Sequence, residues 1–550
     1  MTSIGGTAPR APSRTNDAPA RTFGNVLRAH AVPLPAAAAV VVLGMALSLL
    51  GGSIFGHSGA WVSPDDIWGT LRAAHMVGWG GEGAIYQQHT GYLSFPGLPV
   101  LLAPVAMLSG ALHLSESLPL YLPHPTAWLL LGPVEMALGT VVLFPLDAVA
   151  RRFGVPRARR TGVVWAAAAL IWPVVAVWGH PEDLLAVAFS LYALLAAFDE
   201  RWTRSAVLLA VALAFQPLAV LVVPIVLARL PWRQWLRCAA IVVAPSALLL
   251  VAPLAHAWRT TLHTLVDQPT FPTTGHPTPW VALAPLIARA RTIHAATEAM
   301  GRAAAGRAAP LPSRAVEVVA GGPGRLIAIA CVLALAVVIA RRRPSEHAVL
   351  WLAALGLSLR CVFESVMFPY YVVPGLLLAL VAASVAGRWR LMGAVGFAVA
   401  CTWIAYWHAP RWDYYFAVVV TLLGAWVAGV PRRAFAQQRA GDPAGGGVAF
   451  GSNGSRSAPH CASAGVPAFF ADGAGDVGPG SVATVRITGA GAGVCVDAAE
   501  LPVPHPAASA PAPTAAIAAA TRRRRRPGPV TGPGPVTECL VIPTSPPSER

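Results

Sequence analysis

The chain has 550 residues, of which 55% are hydrophobic and 12% are charged. Soluble domains carry roughly 25% charged residues, so this composition excludes an ordinary soluble enzyme, a coiled coil and a wholly disordered chain. The net charge of +16 comes from arginines that cluster between apolar runs, which is typical of cytoplasmic loops and is not a nucleic-acid signal. We therefore expect an all-α, polytopic integral membrane protein. Its richness in Gly and Pro is typical of GC-rich bacterial genomes and indicates a multi-pass protein of the bacterial plasma membrane.

The chain begins with a polar, basic segment that leads into a first apolar run. Residues 1–33 predict a disordered cytoplasmic N-terminus, and 34–51 predict an uncleaved first span. A large first external loop over 52–93 then separates this span from the next apolar run.

Further apolar runs follow up to residue 430, and the arginine clusters between them indicate the inner loops. These runs lie near 94–115, 126–149, 161–178, 184–198, 205–228, 238–255, 325–340, 347–361, 371–387, 391–407 and 414–430. The external connections are then 52–93, 179–183, 256–321, 362–370 and 408–413. Runs 94–115 and 205–228 conflict with this alternation, and prolines interrupt both. We therefore expect a half-membrane hairpin at each place, and 10 to 13 spans in a transmembrane domain over 34–431.

Residues 432–550 are rich in Gly, Ala, Pro and Ser, and they contain no apolar run of spanning length. This composition predicts a disordered, low-complexity cytoplasmic tail. Its arginine run, Arg522 to Arg526, either contacts the headgroups of membrane lipids or is simply solvated.

Two adjacent acids follow the first span. The segment after Ser63 predicts a short helix on the membrane surface, with Trp61, Trp68 and Trp79 at the interface. Asp65 and Asp66 either cap this helix or provide a general base that accepts a proton from a sugar hydroxyl.

A series of short motifs follows in a fixed order. These are Asp66 seven residues before Ala73, Gly83 before Ile85-Tyr86, Phe95-Pro96 before Ala103-Pro104, and Gly179-His180 between two spans. Their order and spacing resemble the polyprenyl-phosphate-dependent GT-C glycosyltransferases, in particular the bacterial α-mannosyltransferase-like branch. Two positions depart from that pattern. Gln216 stands where the family has a Lys before Pro, and Gly97 replaces the second Pro of its Tyr-Pro-Pro motif.

The resemblance implies a membrane hexosyltransferase of the cell envelope with its site on the external face. Its partners would be a polyprenyl-phosphate sugar lipid as the donor, with mannose as the candidate sugar, and a glycan or glycolipid as the acceptor. Asp66 would be the base by motif position, with Asp65 the alternative. Tyr86 and His180 would belong to the substrate-binding site.

A phosphate leaving group needs a positive charge to stabilise it. Arg360 is the best candidate because it lies near the expected outer end of a span, with Glu364 one helical turn away. Tyr370 would line the same opening. The alternative is a structural Arg–Glu pair, with Tyr370 in an interfacial aromatic belt.

His180, Glu182 and Asp183 form a compact group between two spans. They offer ligands for a divalent cation, which is the only cofactor that the sequence suggests. Alternatively, His180-Pro181 forms a turn and Glu182 is a helix N-terminal charge. Glu135 and Asp147 fall within one apolar run and are either functional intramembrane groups or partners in helix contacts.

Two other functions stay open. The broken run 205–228 favours a transporter or flippase, because interrupted helices line substrate sites in secondary transporters. The departures at Gln216 and Gly97 favour a non-catalytic member of the same fold.

Overall fold

The computed structural model describes residues 30–54, 61–64, 66–87, 90–116, 124–270, 278–288, 317–407 and 414–431. The predicted disordered segments, up to residue 29 and over 432–550, lie outside these residues, and so does Asp65. Within the described residues, nine helices are long and apolar enough to cross a membrane. The prediction of an all-α, polytopic membrane protein is confirmed at this level.

Most helices fall on the predicted apolar runs, but one, Asp66–Gly78, lies within the predicted first external loop, and runs 126–149 and 205–228 each contain two helices. The helices are α1 Pro33–Ile54, α2 Asp66–Gly78, α3 Gly97–Ala111, α4 Ala127–Thr140, α5 Leu143–Arg152, α6 Arg157–Pro173, α7 Pro181–Phe198, α8 Trp202–Phe215, α9 Val223–Leu227, α10 Trp235–Leu262, α11 Gly324–Arg342, α12 Glu346–Phe363, α13 Val373–Ala386, α14 Arg388–Trp407 and α15 Tyr414–Ala428. Four apolar helices are shorter than a span, namely Gly97–Ala111, Trp202–Phe215, Pro217–Leu227 and Tyr414–Ala428. The total of 10 to 13 spans therefore stays a prediction.

Two helices form the centre of the bundle. The span windows of α7 and α13 are 83% and 89% buried, whereas that of α11 is 22% buried. Leu, Ala and Val cover every face of α13, which is typical of a helix surrounded by other helices. The exposed apolar face of α11 is available to lipid.

Arginines connect the helices at one end of the bundle, which we call the arginine end and define by Arg152, Arg160, Arg229 and Arg343. Arg152 donates two hydrogen bonds of 2.9 Å to Glu346, and Arg343 donates to the carbonyl of Arg229 at 2.8 Å. Asp147 accepts from Arg160 at 2.7 Å and also pairs with Arg151, so this buried acid is an anchor for helix contacts.

The opposite end carries the acids that the sequence analysis placed outside. We call it the acidic end and define it by Asp66, Glu182, Asp183 and Glu364. Short connections make successive spans antiparallel, so α7 and α13 begin at this end and α12 finishes there. The positive-inside rule predicts that the acidic end faces away from the cytoplasm.

The predicted break in run 205–228 is confirmed. Helix α8 ends at Phe215, Gln216 is extended with φ −149° and ψ 127°, and a 3-10 turn over Pro217–Leu221 precedes α9. Pro217 has no backbone N–H and therefore cannot continue the α-helical hydrogen bonds. With 14 residues, α8 is about 21 Å long, which is less than the roughly 30 Å of a bilayer core.

Gly97 begins α3 where this helix contacts the end of α8. A Cβ atom at this position would overlap the carbonyl of Ala214. The close contact between these two helices therefore requires Gly at position 97.

The prediction that Trp68 lies at the membrane interface is wrong, whereas the prediction that α2 runs along the membrane surface stays a prediction. Trp68 is 1% exposed, and its ring centroid is 6.4 Å from that of Trp128, whereas Trp79 is 74% exposed. Ile67, Trp68 and Leu71 form one apolar face of α2, and this face is buried in the main core. Helix α2 thus packs this face on the main core, with Asp66 at its first position.

The long connection after α10 contains a small antiparallel sheet. Its strands are β1 Pro269–Thr270, β2 Leu286–Ala288 and β3 Glu317–Val319, in the order β1-β3-β2. The register pairs Pro269 with Val319 and Leu286 with Val318. Because β1 follows α10 and β3 precedes α11, this sheet lies at the acidic end.

Candidate functional site

His180 lies between α6 and α7, and its two ring nitrogens contact two different acids. Its Nε2 is 3.0 Å from Asp66 Oδ2, and its Nδ1 is 2.8 Å from Glu182 Oε1. Asp66 begins α2 and Glu182 lies in the first turn of α7, so the imidazole connects two helices. The side chain of Asp66 is 35% exposed, whereas those of His180 and Glu182 are 17% and 3% exposed.

Gly179 makes this approach possible. Its φ of +75° lies in the left-handed region, where a residue with a Cβ is strained. A Cβ would also lie 3.0 Å from the backbone nitrogen of Ile67, in the first turn of α2. The Gly179-His180 pair therefore combines a chain reversal with a close contact to the helix of Asp66.

The surroundings of His180 favour its charged form. Burial alone would lower the pKa of His180, but the carboxylates of Glu182 and Asp66 outweigh this effect and raise the pKa well above its usual value. In the imidazolium form both ring N–H groups donate, one to each acid. Each contact is then a charge-assisted hydrogen bond.

Two tyrosine side chains connect His180 to Arg360 through successive ring contacts. The ring of Tyr370 stacks on His180 with centroids 4.3 Å apart, and Tyr371 stands perpendicular to Tyr370 at 4.9 Å. The guanidinium carbon of Arg360 lies 3.4 Å from the ring centroid of Tyr371, which is a cation–π geometry. We call the series Asp66, His180, Tyr370, Tyr371 and Arg360 the Asp66–Arg360 line.

Arg360 shares its acid with a second arginine. The Nε atoms of Arg360 and Arg325 lie 3.1 Å and 3.0 Å from the same oxygen of Glu364, which is buried. Gln268, next to β1, also accepts a hydrogen bond from Arg325. Two guanidinium groups on one carboxylate leave one positive charge in excess at this point.

The sequence analysis missed Arg325, although a signal was available. It lies at the start of α11, at the end of the bundle from which most arginines are absent. The positional argument that identified Arg360 applies to it equally.

Asp183 faces a different partner from its neighbour Glu182. Its Oδ1 accepts a hydrogen bond of 2.5 Å from the side-chain amide of Gln216, and Gln216 Oε1 accepts one of 3.3 Å from Ser94. Gln216, at the break in run 205–228, is thus bound to an acid of the acidic end. Among the described residues, no group of three or more His, Cys, Asp or Glu is arranged to hold a metal ion. His180, Glu182 and Asp183, the predicted cation ligands, form no such group.

Tyr86 does not contact the Asp66–Arg360 line. Its hydroxyl donates to the carbonyl of Ser94 at 2.9 Å, and its ring stacks on Tyr92 in a separate small apolar cluster. Burial raises the pKa of Tyr86, so its hydroxyl stays neutral. The geometry thus brings together Asp66, His180, Tyr370, Arg360 and Glu364, and it leaves Tyr86 apart.

A groove of about 620 Å³ lies at the arginine end, away from these residues. Glu200, Trp202, Arg229, Arg343 and Glu346 contribute to its lining. A second groove of about 370 Å³ lies nearby, around Arg201, Arg204 and Arg237. Neither groove includes a predicted site residue.

Comparison with known proteins finds no family model that matches the chain and no curated protein that is similar to it.

Proposed function

We propose that this chain is a membrane glycosyltransferase that moves a sugar, such as mannose, from a polyprenyl-phosphate donor to a glycan or glycolipid acceptor. The reaction would take place on the outer face of a bacterial plasma membrane. The main support is that a partly exposed carboxylate, Asp66, and an excess positive charge, at Arg360 and Arg325, occur at the same end of the bundle and are connected by direct contacts.

Sugar transfer of this kind needs two groups that the acidic end can supply. The acceptor hydroxyl must lose a proton as it attacks the anomeric carbon, and a carboxylate such as Asp66 can take that proton. His180 binds one oxygen of Asp66 and so orients the carboxylate. The bond from the sugar to the phosphate oxygen breaks at the same time, and the lipid phosphate leaves with an additional negative charge.

The arginine pair is suited to that leaving group. Arg360 and Arg325 together carry one positive charge beyond the one that Glu364 balances. Guanidinium groups bind phosphate through charge-assisted hydrogen bonds, which are stronger when the site is buried. Arg325 is followed by Leu326, which is 71% exposed on the lipid-accessible face of α11. The side chain of Arg325 is itself 26% exposed, which leaves it accessible to a phosphate on a bilayer lipid.

The direct test is incubation of membranes that contain the full-length protein with a labelled polyprenyl-phosphate sugar. We expect the label to pass to a glycan or glycolipid product. The Asp66→Asn variant should lower the rate by at least about 100-fold, because general base catalysis contributes typically 10²–10⁴-fold. Asp199→Asn, which alters an acid at the arginine end, should leave the rate nearly unchanged. Normal transfer by Asp66→Asn would show that Asp66 is not the base.

A transporter or flippase is the second candidate, and the extended Gln216 favours it. This residue interrupts a helix inside the bundle and binds Asp183, which resembles the broken helices of secondary transporters. In vesicles that contain the purified protein, movement of the lipid-linked sugar between leaflets without any glycosylated product would support this function over transfer.

A further inference from the structure

Glu135 is a buried acid that the proposed function does not use. It lies in α4, its side chain is 0% exposed, and neither carboxyl oxygen has a hydrogen-bonding partner in the part of the chain that the structure describes. Other buried acids of the described residues differ in this respect. Asp147 and Glu364 bind arginines, Glu182 binds His180, and Asp183 binds Gln216.

The charged groups that face Glu135 belong to the candidate site. Glu182 and His180 interact with it electrostatically. Helix α4 packs on α7, which carries Glu182, and on the π turn over Val174–Trp178 that leads to His180. The other helices packed on α4 are α1, α3 and α6. The first two contain no titratable residue, and the arginines of α6 lie at the arginine end. One oxygen of Glu182 is also buried and finds no hydrogen-bonding partner among the described residues.

This environment is unfavourable for an ionised carboxylate at Glu135. An isolated charge in an apolar interior is costly unless it is paired, and the group takes up a proton instead. His180 is the nearby cation, but both of its N–H groups are engaged by Asp66 and Glu182. Glu182 adds a negative charge that opposes ionisation of a second acid.

We propose that Glu135 is a proton-binding site coupled to the Asp66–His180–Glu182 group. Glu135 carries a proton at neutral pH while His180 is held as an imidazolium between its two acids. Loss of that proton would place another negative charge near His180 and strengthen the binding of the imidazolium protons. Coupling of this kind is reciprocal, so the state of His180 also determines how readily Glu135 ionises. The site binds a proton whatever substrate the acidic end takes.

Infrared spectroscopy tests this proposal without any assay of sugar transfer. A protonated carboxyl group has a carbonyl stretch that is separate from the bands of carboxylates and shifts in D₂O. Full-length protein in lipid vesicles should show this band at neutral pH, and Glu135→Gln should remove it. Glu116→Gln is the matched control because Glu116 pairs with His75 at 2.7 Å, and this variant should keep the band.

Coupling is tested by changing the neighbour and leaving Glu135 in place. In Glu182→Gln the band should persist but change position, because the charge that faces the Glu135 carboxyl is gone. Glu135→Asp keeps a carboxyl group and should therefore retain a carbonyl band at a shifted position. This variant provides the test if Glu135→Gln does not fold. A band that survives Glu135→Gln would overturn the assignment of the proton. A band that is unmoved in Glu182→Gln would overturn the coupling.

Discussion

Each ring nitrogen of His180 contacts a carboxylate, so the positive charge of His180 contributes to the stability of the folded protein. A histidine whose pKa is raised on folding stabilises the folded state fully below its unfolded pKa of about 6.5, and this contribution is lost as the pH rises through the folded value. The contribution of His180 to stability is therefore lost over a pH range that begins near neutral pH and extends upward. This range lies above the one in which exposed carboxylates titrate.

We expect the melting temperature of the wild type to exceed that of His180→Gln most clearly near neutral pH. The difference should shrink as the pH is raised into the alkaline range, because the imidazolium then loses the proton that it shares with its acids. Thermal unfolding of both proteins in one detergent, followed across that pH range, measures the effect. A difference in melting temperature between the two proteins that stays constant or grows with increasing pH would contradict a charged His180.

Sequence reasoning identified several of these residues individually but could not place their partners. Arg360 and Glu364 were paired because residues four apart on a helix face each other, and the structure contains this contact. Stacking of Tyr370 on His180 joins positions 190 residues apart, and no local pattern encodes it. Tyr86 was included by motif position, yet its hydroxyl is used by the backbone of Ser94.

At the scale of elements, Gly179 allows α2 to approach the turn before α7. The chain provides a matched control at Gly154, which has a φ of +68° and has open space where a Cβ would be. Substitution by Ala at either position should incur the left-handed backbone penalty of roughly 1–2 kcal/mol. Only Gly179→Ala should also displace the first turn of α2.

We therefore expect Gly179→Ala to lower the melting temperature more than Gly154→Ala does. It should also weaken sugar transfer, because Asp66 moves with its helix and loses its contact with His180. Unfolding and transfer measurements on the two variants make the comparison. Equal losses in both variants would show that crowding by α2 is unimportant.

Individual elements were predictable to different degrees. The break at Gln216 was predictable because two prolines, Pro217 and Pro224, fall within one short run and both lack the N–H that an α-helix needs. The burial of α2 was not, because tryptophans suit both a membrane interface and a protein core. What decides between these environments is the apolar face of α2 and the partner Trp128, and the partner lies too far along the chain for a local pattern to reveal it.

For the whole molecule, the distribution of arginines predicts which end faces the cytoplasm. Two exposed tryptophans provide matched reporters, since Trp79 follows α2 and Trp232 precedes α10 near the arginine end. They are 74% and 76% exposed. Trp79→Cys and Trp232→Cys, each in a chain without the native cysteines, place one thiol on either side of the proposed membrane.

A membrane-impermeant maleimide should label Trp79→Cys in intact cells and should label Trp232→Cys only after permeabilisation. The physical reason is that arginine-rich loops are retained on the cytoplasmic side. The reverse pattern would place the Asp66–Arg360 line in the cytoplasm and would remove the external site from the proposed function.

The candidate site draws its members from both sides of the segment 289–316. Asp66 and His180 precede this segment, Tyr370 and Arg360 follow it, and β2 pairs with β3 across it. A nick in the segment would leave each fragment with only part of the constellation, so neither could be active alone. Complementation would then depend on mutual recognition through contacts such as that of Arg152 with Glu346. Activity of a chain cut within this segment would therefore require both pieces to stay associated.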